Sequence, residues 1–393
     1  MNKNYKLLWS AFFVSDVGDW LQRIALPILV LNKTGSVFHA ASLYGVSFLP
    51  WLLFSLLGGI FADRYNKIKV LVTGYALATV FSLVLGFSFL QDTPNLVYVY
   101  ILTFLLSSVE PISHPSFNSL IPKIVNKENL AKANSNLQLV DNTLNLLAPL
   151  LSGILLLWIN PVLLLFANTL TFLVAAILLI FIKVKDTDKN FEQNILKSLL
   201  EGLAYVKESK IILSGSLLFL GTNLGIHMFQ GIFVYYITKT LNYSTLEYGI
   251  ILSLGGLGAI LGSLCAPRIL GKYKSGNIIV VSTIIAGVAT IILMLNSNLA
   301  FIGLSMLVMN FCGNINVISY FTLRQKVVPK EILGRVVSVT RMISYATIPL
   351  GAYLGGFLVD KGMIVELVIL LAGLIRLLSG IFAYYSSLRK SEI

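Results

Sequence analysis

Twelve stretches of mostly apolar residues run through this 393-residue chain. Each is about 20 residues or longer, the length that crosses the hydrocarbon core of a bilayer. Their approximate limits are 7–30, 39–62, 69–91, 96–119, 132–158, 161–183, 209–238, 245–270, 277–296, 299–324, 334–359 and 363–387. Lipid gives an unpaired backbone N–H or C=O no partner, so each stretch is predicted to be a helix. A membrane β-barrel is excluded, because its strands are short and alternate in polarity. The first stretch carries Asp16, Asp19 and Arg23 and has no small-residue cleavage site. It is expected to remain as a helix rather than be removed as a signal peptide.

Charge gives the orientation. Only 12% of residues are charged, about half the usual ~25% of a soluble protein. The net charge of +12 would suggest a nucleic-acid partner on a soluble chain. Here its placement suggests topology instead. With the N-terminus in the cytoplasm, 23 of the 29 Lys and Arg fall in cytoplasmic segments. Three (Lys33, Lys239, Lys361) fall outside, and three (Arg23, Arg341, Arg376) fall within spans. This positive-inside asymmetry predicts an even number of spans, both termini cytoplasmic and no nucleic-acid partner. Cys265 and Cys312 both fall in spans and read as small apolar residues, with no metal site expected.

The chain divides near its middle. Residues 1–183 hold six spans, 184–208 form the longest hydrophilic stretch, and 209–393 hold six more. In the linker, Phe191, Ile195, Leu199 and Leu203 recur every fourth residue. That spacing predicts an amphipathic helix, lying on the cytoplasmic surface or touching the bundle with its apolar face. A shift of 203 residues places Leu120, Lys123, Val125, Lys127, Glu128 and Leu130 on Leu323, Lys326, Val328, Lys330, Glu331 and Leu333. The two halves therefore read as a duplication. Two parallel six-helix repeats are the pattern of a major facilitator fold, an all-α membrane bundle of twelve helices in two pseudo-symmetric halves.

After the second stretch comes Gly58-Gly59-Ile60-Phe61-Ala62-Asp63-Arg64-Tyr65-Asn66-Lys67. It resembles the signature loop of the major facilitator superfamily. The resemblance implies that Gly59, Asp63, Arg64 and Lys67 form a conformational latch, with Asp63 facing the region of Gly334 and Arg335. Phe48-Leu49-Pro50, the run from His114 to Pro122, and Asn129-Leu130 resemble the bacterial macrolide-efflux and siderophore-exporter branch. Ala148, Pro149, Ser152 and Gly153 resemble a degenerate antiporter motif, which marks exporters in that family. The chain departs from many proton-coupled relatives in carrying Leu106 where they have Arg in the fourth helix. Glu110 stands one turn further on.

Ionisable groups at bilayer depth cost free energy and are expected to face the bundle interior. Asp16, Asp19 and Arg23 share one helical face. They read either as acids whose protonation is coupled to transport or as a static Asp19–Arg23 pair. Glu110 and His114 stand one turn apart among Pro111 and Pro115, which are expected to interrupt the helix. Asp141 joins Asn142 and Asn145 in a polar patch of the fifth span. Asp16, Asp19, Glu110 and Asp141 are therefore the proton-coupling candidates. Asn223, His227 and Gln230 share a face of the seventh span, and Asn310 and Asn314 a face of the tenth. By the family pattern these helices line the cavity, so with Arg23 and His114 they are substrate-cavity candidates; interhelical hydrogen bonding is the alternative.

The expectation is a secondary active exporter in a bacterial cytoplasmic (inner) membrane, acting as a monomer. It would move an amphipathic small molecule against protons, using the gradient and no cofactor. Two alternatives stay open: a lysolipid or siderophore transporter, and a receptor or scaffold that transports nothing. An enzyme is not expected, since no nucleotide loop or nucleophile–base pair stands out.

Overall fold

The computed structural model describes residues 2–184, 195–295, 297–329 and 331–389. Among them no strand occurs, and the spans are helices, many of which start where the chain offers a side-chain acceptor. Asn2 caps α1 (Lys3–Thr34), Asn66 caps α4 (Lys67–Ser88) and Asn95 caps α5 (Leu96–Ile124). Asn160 caps α7 (Pro161–Ile180) and Ser209 caps α9 (Lys210–Tyr235). Ser244 and Glu247 form a reciprocal capping box on α10 (Thr245–Leu270), and Asn298 caps α12 (Leu299–Val327). Each cap takes up an orphan N–H, typically worth about 1 kcal/mol.

The remaining elements are α2 (Val37–Val46), α3 (Leu49–Arg64), α6 (Leu130–Trp158), α8 (Ile195–Glu208), α11 (Ser275–Ile292), α13 (Leu333–Tyr345), α14 (Thr347–Asp360) and α15 (Val365–Tyr385). The second span is thus two helices, α2 and α3, and the eleventh is α13 and α14. Eleven spans are long and apolar enough to cross a membrane among the described residues. The twelfth is α1, whose 32 residues give ample length but carry the charges noted above. The protein is a multi-pass membrane bundle of about twelve spans.

Two expectations about continuity change. α5 runs unbroken through Pro111, Pro115 and Pro122. Pro115 leaves the Pro111 carbonyl without its helical donor, and Gly58 of α3 lies against that oxygen, where a Cβ would come within 2.2 Å. The backbone defect is covered by close packing instead of ending the helix. The second span breaks at Ser47-Phe48, and Pro50 stands in the first turn of the helix that follows.

The helices gather into two compact units. The first is Met1–Gly35 with Val46–Glu192; the second is Ser36–Gly45 with Gln193–Ile393. In the first, Tyr5, Leu8 and Ala11 of α1 pack with Leu71, Leu120, Ile124, Leu137 and Leu179. The Tyr5 hydroxyl donates to the Ala133 carbonyl at 2.9 Å. In the second, Gly356 of α14 lies on Ala41 and Phe38 of α2, and Gly45 lies on Pro349 and Ala352. Without a hydrophobic drive between helices in lipid, such close approaches carry the packing.

Of the linker, residues 185–194, with Phe191, and the side chain of Ile195 lie outside the described residues. α8 sets Leu199 and Val206 against Val336 and Val339 of α13. Tyr205 donates to the Val327 carbonyl at 3.1 Å, and Arg335 pairs with Glu201. The apolar face of α8 therefore touches the bundle, while Leu200 and Leu203 stay exposed.

Candidate functional site

The first unit gathers its interior acids around α1. Gly18 lets α1 approach α7 closely: a Cβ there would come within 2.0 Å of Thr171 Oγ1 and 2.3 Å of Asn168 Oδ1. This approach brings the fully buried Asn168 amide against α1, where it hydrogen-bonds Asp19 and donates to Gln22 Oε1 at 2.8 Å. The Thr171 hydroxyl lies against the same residue, 2.7 Å from the Asn168 backbone carbonyl and 3.0 Å from its Oδ1, with one proton to share between them.

The other acids interact through space. Asp19 feels Glu110 and Asp16, and Asp141 feels Asp16 and Glu110. Arg23 is the cation acting on Asp16, Asp19 and Glu110. Among the described residues no Asp19–Arg23 contact ion pair forms. The Arg23 guanidinium instead stacks 4.8 Å from the Trp20 ring centroid.

Glu110 and His114 do not bond to each other in the described structure. The Trp51 indole of α3 donates to Glu110, and its ring edge meets His114 at 5.8 Å between centroids. His114 shares a hydrogen bond with the Asn118 amide at 3.2 Å. Both Glu110 and His114 are exposed. Next to them, Tyr75 of α4 meets Ser15 of α1 at 3.2 Å between hydroxyls. Asn145 donates to the Asp141 carbonyl at 2.7 Å.

The antiporter-like residues sit on α6, which runs unbroken past Pro149. Ser152 Oγ donates to the Ala148 carbonyl at 2.7 Å. Ala148 packs with Val140 and Leu144 against Trp9, Phe12, Val17 and Trp20 of α1. In the signature loop, Arg64 is exposed at the end of α3 and Lys67 is buried at the start of α4. The side chains of Gly59 and Asp63 lie outside the described residues.

In the second unit the polar stripe of α9 divides. Asn223 donates to the Ser344 carbonyl at 2.9 Å, tying α9 to the end of α13. His227 and Gln230 meet Tyr44 of α2. The Tyr44 hydroxyl donates to Gln230 Oε1 and lies 2.9 Å from His227 Nδ1. Since the phenol has one proton, its donation to Gln230 makes His227 Nδ1 the donor of the second bond. Asn310 Nδ2 donates to its own helix at Met306 O, 2.9 Å, with Gly255 of α10 alongside. Asn314 Oδ1 accepts from Ser263 of α10 at 3.1 Å. Arg376 is 3% exposed and donates to Thr290 Oγ1 at 2.7 Å. Arg341 is exposed.

Sequence reasoning missed Trp51, Tyr44, Gln22 and Asn168. Trp51 and Tyr44 lie in an apolar stretch, where an aromatic side chain gives no local sign of a polar partner. Asn168 carried the one available signal, an amide in the middle of an otherwise apolar stretch. No group of three or more His, Cys, Asp or Glu among the described residues is placed to hold a metal ion.

Comparison with known proteins gives a consistent result. The profile described as Major Facilitator Superfamily matches residues 8–352. The uncharacterized MFS-type transporter YvqJ of Bacillus subtilis (strain 168) is 24% identical, over 99% of this chain and 94% of its own. The multidrug efflux pump Tap of Mycolicibacterium fortuitum is 24% identical, over 90% and 88%. Macrolide efflux protein A of Streptococcus pyogenes is 23% identical, over 91% of each chain. A crystal structure of the nucleoside transporter NupG matches with TM-score 0.79 at 14% identity, covering 96% of this chain and 98% of that one.

Proposed function

The chain belongs to the Major Facilitator Superfamily, and from that premise we propose that it is a secondary active exporter exchanging an amphipathic small molecule for protons by alternating access. The observation that carries the reading is the acid cluster of the first unit. Asp19 and Asp141 each feel Asp16 and Glu110, and Arg23 is the cation shared by Asp16, Asp19 and Glu110. A cluster with more carboxyl groups than cations, set at bilayer depth, lowers its electrostatic cost by accepting a proton or a cationic group. Alternating between these two is the chemistry of an antiporter. The cargo this favours is a cationic or zwitterionic amphiphile, which also suits the aromatic rings of Trp20 and Trp51.

Within this reading, Asp63, Arg64 and Lys67 act as the latch, and Ala148, Pro149, Ser152 and Gly153 hold α6 against α1. Both termini lie in the cytoplasm of a bacterial inner membrane, and the monomer is the working unit. Relatives named as a multidrug pump and a macrolide efflux protein support export, at 24% and 23% identity.

Efflux from proteoliposomes tests the proposal. Cationic amphiphiles should move with an imposed proton gradient and stop when the gradient is collapsed. Transport indifferent to the gradient removes the proton exchange. No movement and no binding of any compound favours a receptor or scaffold.

A further inference from the structure

α9 and α15 leave a groove of about 360 Å³ between them, lined by Ser214, Leu217, Leu378, Ser379, Phe382 and Ser386 among others. Its rim is apolar and open: Leu217 is 55% exposed, Leu378 54% and Phe382 81%. Its floor is kept low by small residues, with Gly221 of α9 beside Ser379. The serine hydroxyls make no polar demand on an occupant. Ser214, Ser379 and Ser386 donate to the carbonyls of Lys210, Ile375 and Ala383, each at 2.7 Å. What the groove offers is therefore hydrocarbon.

One end is different. Lys210, the first residue of α9, is exposed one turn before Ser214. Arg389, three residues beyond Ser386, is exposed and stacked 3.8 Å from the Tyr384 ring centroid. The stack holds the guanidinium in place through its face, which leaves its in-plane N–H groups for an acceptor. Ser214 and Ser387, 3.2 Å apart, join the two strands of chain at this mouth. The positive end of the α9 dipole adds to the two cations.

We propose that this groove is a binding site for an anionic phospholipid of the adjacent leaflet. An acyl chain lies along Ile375 to Ala383, about 12 Å at 1.5 Å per residue. The phosphate and anionic headgroup meet Lys210 and Arg389. The charge at the mouth, combined with an apolar groove that leads away from it, selects this occupant over a neutral lipid.

The test is native mass spectrometry of the full-length protein in detergent, titrated with phosphatidylglycerol and phosphatidylcholine of matched chains. Wild type should bind a first phosphatidylglycerol in preference to phosphatidylcholine. The double variant Lys210→Gln/Arg389→Gln should lose about 30-fold in affinity for the anionic lipid, taking the usual contribution of each basic residue near anionic lipid, and keep its affinity for the neutral one. Ser214→Leu should remove the first adduct of both lipids. Equal binding of the two lipids by wild type, or an unchanged preference in the double variant, overturns the proposal. So does displacement of phosphatidylglycerol by inorganic phosphate alone, or a dimer that Ser214→Leu dissociates.

Discussion

The indole of Trp51 in α3 donates a hydrogen bond to the carboxyl group of Glu110 in α5. This bond joins the helix leading into the signature loop to the acid one turn beyond Leu106 in the fourth span. A hydrogen bond to a charged group contributes about 1.5–3 kcal/mol. Trp51→Phe keeps the ring against His114 and removes the donor. Gradient-driven efflux should fall roughly 10- to 150-fold in that variant, by the same magnitude, while the amount of folded protein by size-exclusion chromatography stays unchanged. Full activity in Trp51→Phe would separate the bond from transport.

Gly18 should tolerate almost no side chain. A Cβ there meets Thr171 and Asn168 at 2.0 and 2.3 Å, and the amide it displaces holds both Gln22 and Asp19. Overpacking typically costs about 1–3 kcal/mol. Gly18→Leu is expected to lower the melting temperature in detergent by several degrees and abolish transport. Gly18→Ala should fall between the two. An unchanged melting temperature in Gly18→Leu would contradict the packing of α1 on α7.

Arg335 and Glu201 join the linker helix to α13, and both side chains are about a third exposed, at 31% and 39%. Exposed pairs are typically worth about 0.2–1 kcal/mol. Glu201→Arg should therefore cost little stability, and the swap Glu201→Arg/Arg335→Glu should restore what is lost. High salt should erase the difference between wild type and Glu201→Arg. A large loss that the swap does not repair would place the role of Glu201 elsewhere.

Tyr44 reaches His227 and Gln230 from α2, the first part of the second span. Tyr44→Phe leaves two partly buried polar groups without this partner, at about 1–3 kcal/mol each when fully unsatisfied. Gly356→Leu drives a side chain into Ala41 and Phe38 at the other contact of α2, with α14 rather than α9. Both variants should make α2 backbone amides exchange hydrogen faster than in wild type, with α10 and α12 unaffected. Equal α2 protection in all three proteins would refute the docking of α2 described here.

These contacts also show what the sequence carried and what it could not. The spans were legible because a bilayer demands long apolar runs, and hydropathy measures that demand directly. Their starts were written as Asn66, Asn95, Asn160, Ser209, Ser244 and Asn298, the residue types that cap helices. The charged face of Asp16, Asp19 and Arg23 stood out against its apolar surroundings. The break at Ser47-Phe48 left no mark in hydropathy; its only sequence mark is Pro50, in the first turn of the helix that follows. Pro111 and Pro115 suggested an interruption, yet α5 runs through both, with Gly58 packed on the Pro111 carbonyl. Tyr44 and His227 lie 183 residues apart, and no local pattern links them. Asn168 pairs with an acid on another helix, which only the tertiary arrangement reveals.

The central claim is that the acid cluster carries the exchanged proton. Proton movement should therefore be measured directly, with a pH-sensitive dye sealed inside proteoliposomes, as cargo is added. Wild type should move protons against the flow of cargo, and Asp16→Asn, Asp19→Asn and Glu110→Gln should each reduce that movement while the folded yield is kept. Proton movement at the wild-type rate in all three variants would contradict the account.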